Sequence, residues 1–130
     1  MNKLSAHQKQ EAIQFFKSFQ QKLCLALEQV DGSAQFERKS WSRPEGGGGE
    51  MAVIRSSVVE KSGVNFSEVH GDSYPSLEDS YHGKPFFAAG VSTISHMFNP
   101  HAPIGHMNVR MIEAGDHFWF GGGADLTPFI

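Results

Sequence analysis

Side chains that can bind ligands and transfer protons are concentrated towards the C-terminal end of the sequence. If residues 104–113 form a β-strand, His106, Asn108 and Arg110 project from one face, because successive side chains on a strand alternate between faces. Imidazole exchanges protons near neutral pH, and a guanidinium binds carboxylates through parallel hydrogen bonds. This spacing predicts a binding site that holds a carboxylate at Arg110 and a proton donor or acceptor at His106.

A second candidate strand comes earlier in the chain and carries two more polar groups. Over residues 86–97, Ser92 and His96 share a face, four positions apart. Residues 99–103 contain two prolines and an asparagine and are typical of a turn. If the two strands fold back as an antiparallel pair, Ser92 and His96 lie beside His106 and its neighbours. We therefore expect a hydroxyl, two imidazoles, an amide and a guanidinium to gather on one face.

One long helix should precede these strands. Apolar residues recur at helical spacing over residues 5–30. Ser5 followed by Gln8 matches a capping box, and Asp31 with Gly32 is a stop signal. The residues that we expect to widen the buried apolar stripe are Phe15, Cys24 and Leu25. The pattern predicts an amphipathic helix that packs against a sheet.

The rest of the chain has the pattern of strands separated by turns. Strands are predicted at residues 34–42, 51–54, 58–61, 63–70, 86–97, 104–113 and 116–120. The glycines at 46–49 predict a flexible linker or a mobile loop, because glycine loses the most backbone entropy on ordering. One helical turn is predicted at residues 75–81, and Trp119 and Phe120 are expected in the core. One helix followed by many strands predicts an α+β fold with a mostly antiparallel sheet.

Composition narrows the class of protein. The chain has 130 residues, of which 39% are hydrophobic, and a formal net charge of −3, so we expect one domain with a modest core and no nucleic-acid partner. A membrane span, which needs about 18 consecutive apolar residues, is not predicted, and the polar N-terminal stretch lacks the apolar core of a signal peptide. The single cysteine, Cys24, excludes an internal disulfide and favours a reducing, cytoplasmic location.

Four long and unusual motifs follow one another along the chain. They are WSRPEGGGG at 41–49, EKSGVNFSEVHG at 60–71, HMFNPHAPIGHMNVR at 96–110 and WFGGGADLTP at 119–128. In order and approximate spacing they resemble oxygen-dependent (aerobic) coproporphyrinogen III oxidase over residues 36–128. We interpret residues 1–130 as the N-terminal portion of a single domain of this kind. The resemblance implies that the strands belong to a larger antiparallel sheet flanked by helices.

The resemblance also implies a reaction and a site. The reaction is oxidative decarboxylation of coproporphyrinogen III to protoporphyrinogen IX in haem biosynthesis, with molecular oxygen as co-substrate and no organic cofactor. It implies proton transfer by His106 and a contact between Asp125 and the pyrrole N–H groups at the centre of the macrocycle. The residues that it implies for substrate binding are Ser92, Asn108, Val109 and Arg110. Members of the family are typically homodimers.

Several alternatives stay open at this stage. His96 and His106 are candidate ligands for a divalent metal cation, although two imidazoles make an incomplete ligand set. A second hypothesis is a non-catalytic remnant that binds tetrapyrrole or dimerises, and a third is a small cupin-like metal protein that uses His101, His106 and Glu113. The chain is compatible with a fragment, a truncated reading frame or a shortened relative, and a sheet that stops at Ile130 should leave an unpaired edge.

Overall fold

The computed structural model describes residues 3–75 and 82–130, and this part of the chain contains one helix followed by six strands. In chain order the elements are α1 (Ala6–Asp31), β1 (Glu37–Ser42), β2 (Gly47–Ile54), β3 (Val59–Gly71), β4 (Phe86–Met97), β5 (Ile104–Ala114) and β6 (His117–Thr127). The strands form one sheet in the order β1-β2-β3-β4-β5-β6, and each pairing is antiparallel. The predicted α+β fold with a mostly antiparallel sheet is confirmed.

Helix α1 begins and ends at the signals that the sequence carries. The Ser5 hydroxyl accepts from the backbone N–H of Gln8 at 3.1 Å, and the Gln8 side chain accepts from the backbone N–H of Ser5 at 2.9 Å. This reciprocal pair is the predicted capping box. At the other end Gly32 adopts a left-handed φ of 83°, and its N–H donates to the carbonyl of Glu28 at 2.8 Å. The predicted helix is confirmed to within one residue at each end.

The hydrophobic core lies between α1 and the middle strands of the sheet. Its buried members include Ile13, Phe16 and Cys24 of the helix, which face β3 and β4. Burial raises the pKa of the Cys24 thiol, so this group stays protonated and packs as a small apolar residue. The predicted burial of Phe15 and Leu25 was wrong: they are 62% and 55% exposed, because they lie outside the strip of α1 that meets the sheet.

A buried glutamine ties the helix to two strands. Gln20 is 3% exposed, and its side-chain amide donates to the carbonyl of Glu50 at 3.0 Å and to the carbonyl of Val64 at 3.1 Å. A buried amide costs free energy unless it is hydrogen-bonded, so these bonds offset the cost of burying a polar group. They also hold α1 at a fixed position above β2 and β3.

The glycine-rich segment is a strand and corrects the prediction of a flexible loop. Gly47, Gly48 and Gly49 lie in β2 and pair with β3, and the last two also pair with β1. A methyl group on Gly49 would overlap the carbonyl oxygen of Phe66 and lie 3.0 Å from two ring atoms of Trp41. Pairing on both sides supplies hydrogen bonds that offset the entropy cost of ordering glycine, and the close approach requires its lack of a side chain.

Other strand boundaries also differ from the prediction. The strands predicted at 58–61 and 63–70 are one strand, β3, with a register shift between Val59 and Lys61. Strand β6 continues through three glycines to Thr127 instead of ending at residue 120, because glycines carry no apolar pattern that a sequence reading can detect. Most of the helical turn predicted at residues 75–81 falls outside the described residues.

The sheet has one face packed against α1 and a second face that no described element covers. A row of directly paired residues crosses that second face from β2 to β6. The row is Met51, Asn65, Ser92, Asn108 and Gly123. We call this surface the open face. In the described part of the chain no helix is long and apolar enough to cross a membrane.

The two edges of the sheet differ in their protection. Strand β1 is six residues long and carries three charged side chains, which discourage further pairing. Strand β6 has 11 residues with neither lysine nor arginine, and it pairs on one side only. The expected unpaired edge is therefore present. Phe120 on β6 is 65% exposed, so its predicted place in the core was wrong.

Candidate functional site

The pairing of β4 with β5 brings the predicted polar residues together. Ser92 lies directly opposite Asn108, and His106 and Arg110 flank Asn108 at two-residue steps. Directly paired residues share a face, as do residues two apart on one strand, so all four side chains belong to the open face. His96 belongs to the same face, four residues along β4 from Ser92.

The apolar residues between these positions belong to the other face. Val91 is 2% exposed and Met111 is fully buried, and both lie in the core beneath α1. Val109 also packs against that core, and it pairs with Val91 on one side and Gly122 on the other. A role for Val109 in ligand binding therefore falls to its backbone alone. The alternation predicted for β5 is confirmed.

His106 and Asp125 form a pair across β5 and β6. They are direct partners in the register, and His106 Nδ1 lies 3.2 Å from Asp125 Oδ2. The two side chains are 38% and 60% exposed. When Nδ1 carries the proton it donates to the carboxylate, which fixes the tautomer and leaves Nε2 for proton exchange with a ligand. The carboxylate thus orients the imidazole on the open face.

Arg110 is held by an amide and not by an acid. Its Nη1 donates to Asn108 Oδ1 at 3.2 Å, which leaves the other guanidinium donors available. Glu113, three residues further along β5, lies on the α1 side of the sheet and is 6% exposed. The Glu113 carboxylate accepts from the backbone N–H of Leu4 and from Lys9 Nζ, each at 2.8 Å. Arg110 takes part in no ion pair among the described residues.

Two further polar residues on the open face were missed by the sequence reading. Asn65 on β3 pairs directly with Ser92, and Lys61 pairs directly with His96. Both residues lie in the EKSGVNFSEVHG motif, which was noticed only as a resemblance. Their positions add an amide and a second cation to the site.

The described residues do not form a metal site. They include no group of three or more His, Cys, Asp or Glu side chains that could hold a metal ion. Lys61, whose side chain ends in an ammonium group, is paired with His96. His106 Nδ1 already contacts the carboxylate of Asp125. Two imidazoles beside a lysine are a poor set of ligands for a cation.

The cupin-like alternative is contradicted by the same geometry. Glu113 is on the opposite face of the sheet from His106 and is paired with Lys9. His101 lies in the exposed turn between β4 and β5, where its backbone N–H donates to the Asn99 side chain at 2.9 Å. Three ligands on two faces and a turn cannot meet at one ion.

Comparison with known proteins decides the family. A family model described as coproporphyrinogen III oxidase matches residues 11–130. The chain belongs to the coproporphyrinogen III oxidase family. The resemblance carried by the four motifs is therefore confirmed.

Named relatives are oxygen-dependent coproporphyrinogen-III oxidases. The one from Prochlorococcus marinus (strain MIT 9313) is 46% identical over 128 residues, which cover 95% of this chain and 37% of that relative. The one from Prochlorococcus marinus (strain NATL1A) is 48% identical over 115 residues, covering 85% of this chain and 33% of the relative. The one from Synechococcus sp. (strain CC9902) is 48% identical over 115 residues, with coverage of 85% and 32%. The chain thus spans about a third of the length of these coproporphyrinogen oxidases.

Proposed function

We propose that this chain supplies one wall of the substrate site of an oxygen-dependent coproporphyrinogen III oxidase, as the N-terminal portion of a single domain. The observation that supports it best is the His106–Asp125 pair beside the Arg110–Asn108 pair on one uncovered face. Family membership supports the choice of reaction. The part of the longer relatives that this chain does not span would supply the opposite wall.

The proposed substrate is an electron-rich porphyrinogen with four propionates. Arg110 binds one propionate through the guanidinium donors that Asn108 leaves available, and Lys61 offers a second cation on the same face. Asn108 and Ser92 add neutral hydrogen bonds. A cation and an amide that are already hydrogen-bonded to each other lose little side-chain entropy when the carboxylate arrives.

In this proposal Asp125 binds the pyrrole nitrogens of the substrate. One carboxylate oxygen meets His106, and the other accepts from pyrrole N–H groups at the centre of the macrocycle. As electrons leave the pyrrole, positive charge develops next to the carboxylate and is stabilised by it. The glycines that precede Asp125 present no side chains that would keep the macrocycle away from the strand.

The chemical step converts a propionate to a vinyl group. A C–H bond next to the pyrrole and the C–C bond to the carboxyl group break, a C=C bond forms, and carbon dioxide leaves. Molecular oxygen accepts two electrons and two protons and leaves as hydrogen peroxide. His106 gives or takes a proton at Nε2 during this exchange. We derive no step through a metal ion, because the described residues do not form a site for one.

A second candidate function applies to the isolated chain, namely tetrapyrrole binding without turnover. The Asp125 side chain is 60% exposed and Arg110 is exposed as well, so bulk water reaches every group of the site. Water raises the local dielectric constant and weakens electrostatic stabilisation of the transition state. A homodimer and a cytoplasmic location stay predictions from the family resemblance and from the single buried thiol.

The test is an anaerobic assay with coproporphyrinogen III, followed by admission of oxygen. Protoporphyrin fluorescence is read after oxidation of the product, and binding is measured separately by titration before oxygen enters. Turnover by the chain that is lost in His106→Ala and kept in His101→Ala would support the oxidase function. Binding that depends on Arg110 without turnover would support the second candidate. Absence of binding by the folded chain would refute both.

A further inference from the structure

The open face of the sheet carries two cations at opposite ends of its polar residues. Arg110 pairs with Gly90 at one end, and Lys61 pairs with His96 at the other. The span of β4 from Gly90 to His96 separates the two cations by about 20 Å along the strand direction. They also lie on strands that are not neighbours, β5 and β3, with β4 between them. A large ligand with several anionic groups can contact both cations, whereas a small carboxylate reaches only one.

A register shift at the start of β3 directs Lys61 towards the open face. Val59 pairs with Met97 and Lys61 pairs with His96, so β3 holds one extra residue, Glu60, as a β-bulge does. Residues two apart on a regular strand share a face. Here they do not, because Val59 is fully buried in the core and Lys61 is exposed. The bulge therefore allows a buried apolar side chain and an exposed cation at nearby positions of one strand.

The Lys61 ammonium has no acidic partner in the part of the chain that the structure describes. On the α1 side of the sheet, by contrast, Lys9 and Arg38 each form an ion pair with a glutamate. Among the described residues Glu60, which precedes Lys61 in the sequence, forms no ion pair with Lys61 or with His96. Lys61 is therefore available to a carboxylate from outside this chain. His96 adds an N–H donor beside it, because either neutral tautomer of imidazole carries one.

The His106–Asp125 pair lies between the two cations along the strand direction. His106 is opposite Ile94, which lies on β4 between the partner of Lys61 and the partner of Arg110. A macrocycle whose pyrrole nitrogens contact Asp125 therefore has one cation on each side. Carboxylates on opposite sides of its rim can reach both cations, because lysine and arginine carry their charges on long side chains.

We propose that Lys61 and His96 form a second carboxylate-binding subsite, which holds a propionate on the side of the macrocycle opposite to the one that Arg110 binds. This assignment, which rests on the proposed oxidase function, gives that function a specificity. The subsite selects tetrapyrroles that carry carboxylates on opposite sides of the ring, since a ligand with propionates on one edge engages only one of the two cations. Attachment at two points also fixes the rotation of the macrocycle over Asp125, and with it the propionate that faces His106.

Lys39 also belongs to the open face and is a poorer candidate for this role. It lies on the edge strand β1, so it is about 19 Å across the sheet from β5, at about 4.8 Å per strand. The side chain of its direct partner, Met51, offers no hydrogen-bond donor, whereas Lys61 has the His96 imidazole beside it. Lys39 is therefore a matched control for Lys61, because it is an exposed lysine on the same face and lies outside the subsite.

The test is a fluorescence titration of the chain with two porphyrins that differ in their carboxylates. Coproporphyrin III carries four propionates distributed around the ring, whereas mesoporphyrin IX carries two, both on one edge. Dissociation constants are measured for the unmodified chain and for variants of the two cations, the imidazole and the control lysine. The variants are Lys61→Gln, Lys61→Arg, His96→Phe, Arg110→Ala and Lys39→Gln. Thermal melts by circular dichroism verify that each variant folds.

We expect Lys61→Gln to weaken binding of coproporphyrin III by about fivefold, the upper range for an exposed ion pair. Binding of mesoporphyrin IX should weaken by less than about twofold, because that ligand can still use Arg110. His96→Phe should show the same preference with a smaller loss, and Lys61→Arg should keep the affinity of the unmodified chain, as should Lys39→Gln.

Two results would overturn the subsite. One is an equal loss for both porphyrins in Lys61→Gln, and the other is a loss in Lys39→Gln as large as that in Lys61→Gln. Weaker binding of coproporphyrin III by Arg110→Ala but not by Lys61→Gln would also overturn it, and would leave the proposed function intact. Absence of binding of either porphyrin by the folded chain would overturn both the subsite and the proposed function.

Discussion

Asp125 on β6 is the direct pairing partner of His106 on β5, and its carboxylate Oδ2 is 3.2 Å from the imidazole Nδ1. The two residues are 19 positions apart in the sequence and come from different motifs. Their contact depends on the register between β5 and β6, which also sets Arg110 opposite Gly121. The acid, the imidazole and the guanidinium therefore share one surface, and the acid is paired with the imidazole and not with Arg110.

Replacing Asp125 with asparagine should lower kcat by roughly 100-fold with a smaller change in KM. Asparagine keeps the size of the side chain but removes the negative charge that holds His106 and stabilises a developing cation. The rate is measured in the oxygen assay with the chain mixed with a second polypeptide, the part of the Prochlorococcus marinus (strain MIT 9313) relative that follows the matched region. Asp72→Asn, at an exposed position, is the control and should be neutral. An unchanged kcat in Asp125→Asn would contradict the assigned role.

Arg110→Ala should weaken binding of the tetracarboxylate ligand by about tenfold or more, because charge-assisted hydrogen bonds contribute about 1.5–3 kcal/mol. Arg110→Lys keeps the charge but loses the planar fork, so its affinity should fall between that of the unmodified chain and that of Arg110→Ala. Coproporphyrin III, the stable oxidised form of the ligand, allows a fluorescence titration. Arg55→Ala serves as the control, since Arg55 is exposed in the turn between β2 and β3. Equal affinities for all four proteins would remove Arg110 from the site.

Asp31 connects the end of α1 to the turn between β2 and β3. It is 6% exposed, and its carboxylate accepts from five donors at 3.0–3.3 Å. The donors are the N–H groups of Ser33, Ala34, Val58 and Val59 and the hydroxyl of Ser33. The N–H of Val59, with help from the other hydrogen bonds, holds the pKa of Asp31 well below its usual range, although burial opposes this.

This depressed pKa predicts a loss of stability in acid. An unfolded aspartate titrates near pH ~3.9, so below that pH the unfolded state binds a proton that the folded Asp31 does not. The free energy of unfolding should therefore fall as pH drops below about 4 and stay level, for this group, above about 5. Urea titrations of the chain and of Asp31→Asn would measure it. The variant should be less stable at pH 7 and less sensitive to acid, whereas Asp116→Asn, at an exposed turn, should keep the original acid dependence.

Gly90→Ala should destabilise the chain by about 1–3 kcal/mol, because overpacking a tight contact forces the backbone to shift. Gly90 is buried in β4, and an added methyl group would overlap the carbonyl oxygen of Val109 and lie 3.0 Å from Arg110 Cα. Gly63→Ala is a matched control within β3, where the nearest atom would be 4.0 Å away. That control should be neutral or gain up to about 1 kcal/mol. Denaturant midpoints for the two variants that coincide would contradict the packing argument.

The elements of this fold were largely predictable from local pattern. The capping box at Ser5 and the left-handed stop at Gly32 are short-range signals, so α1 was placed to within a residue. Strand β5 alternates polar and apolar side chains from His106 to Met111, and β4 begins with an apolar run. The predicted bounds of both strands were close to those observed. The glycines of β2 and β6 carry no such pattern, because their strand conformation is imposed by pairing with neighbours and not by their own preference.

The sequence alone determined the family, the helix and the polar face of β5, since motifs, caps and alternation act over a few residues. Tertiary structure decided which faces meet. It paired Asp125 with His106 and Lys61 with His96. It also paired Glu113 with Lys9, on the α1 side of the sheet. Register between strands depends on contacts between distant segments, and a shift by one residue exchanges the two faces. For that reason the site residues on β4, β5 and β6 could be read from the sequence, while Asn65 and Lys61, the pairings between strands and the exposed flank of α1 could not.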